Sequence, residues 1–354
     1  MRTGPEMPLS ENGIVRWLEK RFLGSSRGVR LGIGDDAAVI HPGGADEYWV
    51  VTMDMLVEGV DFRPGWLGPR ELGHKSLAVN LSDLAAMGAR PRFYLVALAL
   101  PADVTEEWVE DFYRGMARLG ERHAAALLGG DLSHSPSGLQ ITVTAVGESR
   151  NRRFLRRSGG GPGDFLYVTG MLGRAAAGLE LLRRGITGGR SRAERSALEA
   201  HRMPEPRCAA GAWLAASGLV RCMMDISDGL SVDLPRLCAA SRCGAEIDAG
   251  NLPLFESARR WGADPLELGL HGGEDFELLF AVRMDAARRL ERLYPDSLPP
   301  IRRIGRLTGT GRVLIRHPGR PLAPLPPLGF THFRDAHHFS PAPKSARAAR
   351  QRNR

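Results

Sequence analysis

The sequence is short of cysteine, of aromatic residues and of long apolar runs, and each shortage removes a class of protein. Only four cysteines stand among 354 residues, Cys208, Cys222, Cys238 and Cys243, all in the second half and none in a CxxC pair. That spacing speaks against a disulfide framework and against a thiolate zinc site. The longest apolar stretch, residues 93–100, stops at Pro101, far short of the roughly 20 residues a bilayer demands. The opening MRTGPEMPLSEN has no apolar core for a signal peptide, so the cytoplasm is the expected compartment. No GxxxxGK[ST] occurs, and neither His-Arg-Asp nor Asp-Phe-Gly is present. P-loop enzymes and protein kinases are thereby excluded.

What is present is a chain long enough for two domains, with 43% hydrophobic residues to fill their cores. The net charge of +8 is concentrated at one end. The last eleven residues, KSARAARQRNR, supply five of these charges and no acid. They read as a solvated tail over 341–354. The chain has no basic–aromatic interleaving of the kind single-stranded nucleic acids require, so no nucleic-acid partner is expected.

Apolar periodicity predicts helices over 10–22, 69–87, 105–123, 174–184 and 231–241. Strands are predicted over 37–40, 48–52, 93–100, 140–146, 165–169, 222–226, 276–282 and 301–307. Residues 185–205 read as a polar loop. The segment 148–164, basic and then rich in glycine, has no apolar period and marks a junction near residue 150. The expected organisation is therefore an α/β (α+β) chain of two domains, 1–150 and 151–340, followed by the tail.

The most informative feature is a series of acids placed where a strand or helix meets a glycine or small-residue turn. These are GIGDD (Asp35, Asp36), TMD (Asp54), NLSD (Asp83), GGD (Asp131), DISDG (Asp225, Asp228) and GGED (Glu274, Asp275). Singly, each is an ordinary turn or capping residue. Together they fit magnesium, a hard cation held by a few carboxylates, waters and substrate phosphates. Glycines beside them let phosphate approach the backbone. Arg157 adds a planar guanidinium suited to bidentate contact with phosphate. Lys75 and His74, early in the 69–87 helix, add positive charge, with His74 expected at the solvated surface.

In this order the motifs LGIGDDAAVI, TMDMLVEGVDF, KSLAVNLSDLAAMGARP, LLGGD, RSGGGPGDFLYVTG, MDISDGLSVDL, GGEDFELLF and GFTHF resemble thiamine-monophosphate kinase. That family shares a superfamily with aminoimidazole ribonucleotide synthetase and selenophosphate synthetase. The resemblance covers residues 31–333. It implies an N-terminal domain whose mixed sheet pairs with its twin in a homodimer, and a C-terminal α/β domain closing over an ATP cleft. It implies ATP as co-substrate, several Mg2+ ions, and thiamine monophosphate as acceptor. Metal-binding positions would be Asp36, Thr52, Met53 (through its carbonyl), Asp54, Asp83, Asp131, Asp225 and Asp228. Gly130, Asp131, Arg157 and Ser227 would meet the nucleotide, and Glu274 and Phe330 the thiamine end. The chain departs from the family at Asp61, where a substrate-contacting histidine is usual. An acid there either recruits metal in place of that contact or turns outward. Two rival readings are another ATP-dependent synthetase of the superfamily and an RNA-associated binding protein. Selenophosphate synthetase needs a reactive residue near the N-terminus, whereas the first cysteine here is Cys208.

Overall fold

The computed structural model describes residues 11–22, 28–43 and 45–331. The expected tail and residue 10 of the first helix lie outside the described residues. The N-terminal half contains α1 (Glu11–Phe22), β1 (Val29–Leu31), β2 (Ala38–Ile40), β3 (Trp49–Val57), α2 (Pro69–Ala86), β4 (Arg90–Leu100), α3 (Glu106–Arg122), β5 (Ala126–His134) and β6 (Gln140–Glu148). Residues 149–164 hold only an isolated bridge, Arg150 to Arg153. Then come β7 (Phe165–Thr169), α4 (Arg174–Arg183), α5 (Arg192–Arg202), α6 (Cys208–Ser217), β8 (Val220–Ile226), α7 (Leu230–Ala240) and β9 (Gly244–Asp248). The chain continues through α8 (Pro265–His271), β10 (Glu277–Val282), α9 (Ala287–Leu293), β11 (Ile301–Thr308), β12 (Val313–Arg316) and β13 (Leu322–Pro324).

Two mixed sheets result. The first has the order β1-β2-β3-β6-β4-β5, the second β13-β12-β9-β11-β7-β10-β8. In the first sheet β4 and β5 run parallel and are joined by α3, the crossover that a parallel pair needs. In the second only β12 and β9 run parallel. No helix among the described residues is long and apolar enough to cross a membrane.

Helix α2 is the hub. Pro69 sits in its first turn, where a missing N–H costs nothing, and the helix is buried on nearly every side from Leu72 to Ala86. One core unites the inner face of the first sheet, α2, α3, α6 and Tyr167, Met223, Leu278 and Phe280 of the second sheet. Alternate residues of the same strands, Leu166, Val168, Met224 and Leu279, enter a second core on the opposite face with α7. This two-sided burial accounts for the unbroken apolar run in β10. Close approach of α6 to α2 depends on Gly211, where a Cβ would stand 2.0 Å from the Ala85 carbonyl oxygen. The two halves therefore share packed side chains, and their relative placement is fixed by the core itself.

Two expectations fail here. Residues 185–205 are not a loop throughout, because α5 occupies Arg192–Arg202. Its start is a capping box: Ser191 Oγ accepts the Glu194 N–H at 3.1 Å, and Glu194 accepts the Ser191 N–H at 3.0 Å. His74 is not at the solvated surface either. It is buried, with Nε2 2.8 Å from the Pro204 carbonyl oxygen, because α2 packs against the segment following α5.

Candidate active site

Strand β3 alternates its side chains, so Thr52 points inward and Met53 outward into solvent. The inward hydroxyl of Thr52 donates to Asp83 Oδ2 near the end of α2. The Asp54 N–H donates to Asn80 Oδ1 at 3.1 Å, and Asn80 in turn bonds the Ser76 carbonyl one turn back. Thus β3 and α2 are locked together with the Asp54 and Asp83 carboxyls side by side, each acting on the other's ionisation.

The C-terminal half brings a third carboxylate. Asp225 lies at the end of β8, and its Oδ2 accepts from Ser82 Oγ at 2.6 Å. The loop before β2 brings Asp36. Oxygens of Asp36, Asp83 and Asp225 all lie within 4.8 Å of one another, although they come from the loop before β2, helix α2 and strand β8. Arg157, in the junction between the halves, grips Asp36 Oδ1 through Nη2 at 2.6 Å and Nε at 3.1 Å. Its own N–H donates to Asp35 Oδ1 at 3.1 Å. The Asp36 Oδ2 atom is buried and has no hydrogen-bond partner among the described residues. A buried acceptor left unmatched is costly, and a cation at the centre of three carboxylates would satisfy it.

The electrostatics agree. Burial and then the neighbouring carboxylates push Asp54 up to about 6 and Asp225 up to about 7. Asp83 is raised well above the carboxylate range by burial and by Asp54 and Asp225. Such a cluster is unfavourable alone and suited to a divalent ion with oxygen ligands. A sign follows for stability. An acid with a raised folded pKa stabilises fully below its unfolded value of about 4, and that contribution is lost as pH rises through the folded value. In EDTA the melting temperature is therefore expected to fall between pH 5 and pH 8, and millimolar Mg2+ should flatten that fall. A melting temperature that rises over this range in EDTA would contradict the assigned cluster.

The other expected positions are distributed around this centre. Asp228 follows β8 and acts on the Asp54 carboxyl. It is gripped by Arg236, which also holds the buried Asp233 at 3.0 Å. The Asp228 carbonyl accepts the Phe330 N–H at 3.0 Å, which brings the half-exposed Phe330 beside the site. The Ser227 carbonyl accepts the Glu274 N–H at 2.7 Å. Asp61 also acts on Asp54, and its Oδ2 accepts the Val57 N–H at 2.8 Å, closing the turn after β3. Gly130 and Asp131 stand apart from the carboxylate cluster, on the exposed strand β5. A Cβ on Gly130 would lie 1.7 Å from the Val96 carbonyl oxygen, so this stretch of β5 needs glycine to pair with β4.

Sequence reasoning missed several participants. Asn80 and Ser82 lie inside the NLSD motif, two positions apart on α2, and both are completely buried. Asp233 and Arg236 were signalled by the acid and base one and two turns into α7.

Comparison with known proteins decides the family. The AIR synthase related protein N-terminal domain matches residues 34–149, and the C-terminal domain of the same name matches 161–317. A thiamine-monophosphate kinase of Rhodopirellula baltica is 36% identical over 332 residues, 89% of this chain and 97% of that protein. The Escherichia coli K12 enzyme of the same name is 39% identical over 272 residues, covering 76% and 81%. The chain belongs to the thiamine-monophosphate kinase family.

Solved structures of the family agree. The AaThiL complex with AMPPCP and TMP superposes with a TM-score of 0.78 at 31% identity, over 94% of this chain and all of that one. The thiamine-monophosphate kinase of Stenotrophomonas maltophilia gives 0.71 at 38% identity, over 85% and 95%. The hydrogenase maturation protein in the HypE–HypF complex, at 17% identity and a TM-score of 0.68, shares the fold alone.

Proposed function

We propose that the chain transfers the γ-phosphoryl group of ATP to thiamine monophosphate, giving thiamine diphosphate. The observation that carries this reading is the convergence of Asp36, Asp83 and Asp225 within 4.8 Å, around a buried carboxylate oxygen with no partner among the described residues. Mg2+ bound there would neutralise the phosphates of donor and acceptor, which otherwise repel. Asp36, Asp54, Asp83, Asp225 and Asp228 would hold it, with Thr52 and the Met53 carbonyl beside them, whereas Asp131, a metal position by the resemblance, sits on β5 across the sheet from β3 and does not join this set. Arg157, Gly130 and Ser227 bind the nucleotide side. Asp61, Glu274 and Phe330 face the acceptor. Asp61 Oδ2 accepts the Val57 N–H, which holds this acid in the turn after β3.

No protein nucleophile is required, because the acceptor is itself a phosphate, largely deprotonated near neutral pH. The chain's contribution is positioning, which can supply much of the barrier reduction in phosphoryl transfer. ATP turnover that depends on added thiamine monophosphate tests the reading. Equal turnover without the acceptor would favour another ATP-dependent synthetase of the superfamily. The four cysteines are free and buried, which fits a cytoplasmic enzyme.

A homodimer formed through the first sheet belongs to the same proposal. Helices α2 and α3 cover one face of that sheet. The other exposes Met53 and Met55 of β3 and Leu95 and Ala97 of β4. A contiguous apolar face of this kind marks an association surface. The Met55→Glu, Leu95→Glu double variant is expected to sediment as a monomer at micromolar concentration, where the parent chain is a dimer. A monomeric parent would overturn the assignment.

A further inference from the structure

Glu274 is held in an unusual way. It lies on the loop between α8 and β10, with its backbone in the left-handed region at φ 67°, a conformation that costs a non-glycine residue energy. The Glu274 and Phe276 N–H groups donate to the Ser227 and Ile226 carbonyls at 2.7 and 2.9 Å. This turns the Glu274 side chain away from its own sheet and toward α2. There Oε1 meets Lys75 Nζ at 2.6 Å and Oε2 meets His201 Nδ1 at 3.0 Å. Lys75 is completely buried and also donates to the His201 carbonyl at 3.2 Å. About a quarter of the Glu274 side chain, 27%, remains exposed.

We infer that His201, with Lys75, is a positioning residue that fixes the Glu274 carboxylate for recognition of the cationic ring of the acceptor. This rests on the reading above that Glu274 faces the acceptor. Two partners on two oxygens define the carboxylate plane, which a single lysine would leave free to turn. Although burial opposes it, Lys75 and then His201 hold Glu274 ionised, down at about 2. Burial, reinforced by Lys75, lowers His201 itself, so near neutral pH the imidazole brings an N–H and no second positive charge. With Lys75 alone charged, the group of three stays neutral, and the exposed edge of Glu274 still attracts a cation. A protonated imidazole would make it repel one.

The ring is not there merely to fill space. Its Nε2 is buried without a partner among the described residues, and Nδ1 sits close to Oε2 but off the ideal hydrogen-bond line. Leucine or phenylalanine would pack beside Gly178 and Ala197 with no such polar cost. The position lies on α5, outside every motif that carries the family resemblance.

The experiment compares the full-length parent with His201→Leu, His201→Phe, His201→Gln and Glu274→Gln. It measures kcat, KM for each substrate, and the inhibition constant of thiamine, which carries the cationic ring without the phosphate. His201→Leu is expected to raise KM for thiamine monophosphate and Ki for thiamine by about tenfold, with kcat and KM for ATP within about twofold. His201→Phe should behave alike and serves if the leucine variant does not fold. His201→Gln keeps a side-chain N–H and should recover most of the loss. If Glu274→Gln weakens thiamine binding while the leucine and phenylalanine variants do not, the role of His201 is overturned. If Glu274→Gln leaves thiamine binding unchanged, the placement of Glu274 against the acceptor is itself overturned. Proportional damage to kcat and to KM for both substrates would show a purely structural residue.

Discussion

Asp83→Asn is expected to lower kcat/KM by about a thousandfold or more, some 4 kcal/mol of transition-state stabilisation, without destabilising the metal-free protein. Asp83 is desolvated and pressed against Asp54 and Asp225. Asparagine keeps the shape and can still accept from Thr52, which now donates to Asp83 Oδ2. It removes one charge from a crowded cluster, so melting in EDTA at pH 7.5 should occur at the same or a higher temperature. Stability surrendered for function is the usual condition of such sites. Steady-state kinetics across a magnesium titration, paired with thermal melts, check both halves. Near-parental activity at low magnesium would remove Asp83 from the metal site.

Arg157→Gln should show the opposite sign in stability. Asp36 is fully buried at its side chain and its Oδ1 depends on the Arg157 fork. Removing the cation strands a buried charge, which costs about 3 kcal/mol or more. The metal-free variant is expected to melt well below the parent, and Mg2+ with a non-hydrolysable ATP analogue should restore much of the difference. KM for ATP should rise at least about tenfold, because a guanidinium near phosphate is lost. Arg157→Lys keeps the charge without the fork and should fall between. A glutamine variant as stable as the parent in EDTA would mean that the Arg157–Asp36 pair is not what holds the junction to the site.

The contrast between these two residues shows what the sequence could and could not convey. Both were legible as site residues, Asp83 in NLSD and Arg157 before the glycine run. Their opposite energetic roles were not, because Asp36 is far from both along the chain. Most regular elements were legible where burial has a period: the alternation in β6, the apolar run of β10 covered on both faces, the proline-led start of α2. Strand β5 was not. Every one of its residues is exposed, so it has no alternation, and its two glycines read as a turn. Helix α5 was hidden by polar composition, although its capping box was visible at Ser191 and Glu194.

Lys75 illustrates a further limit. The sequence offers Lys75 as added positive charge early in a helix, and only the fold shows that this charge is sealed against Glu274. His74, expected at the solvated surface, is buried instead. Its burial comes from the chain after α5, the Pro204 carbonyl above all, and no residue pattern near His74 points to that contact. The acids were legible as a set because each reads as the end of an element at a small-residue turn; the structure instead puts Asp54 within β3, Asp83 within α2 and Asp131 within β5, and convergence is a property of topology. Strand β8 delivers Asp225 to α2 only because α6 and the shared core dock the second sheet there.

The central claim is that carboxylates from both halves of the chain converge on one metal–nucleotide centre. Anomalous diffraction from crystals grown with Mn2+ and a non-hydrolysable ATP analogue tests it most directly. The account predicts a manganese peak at coordination distance, about 2.1 Å for a hard octahedral ion of this kind, from oxygens of Asp36, Asp83 and Asp225, with nucleotide phosphate on its open side. A nucleotide bound with no metal peak among these three residues, or with its metal held elsewhere, would contradict it.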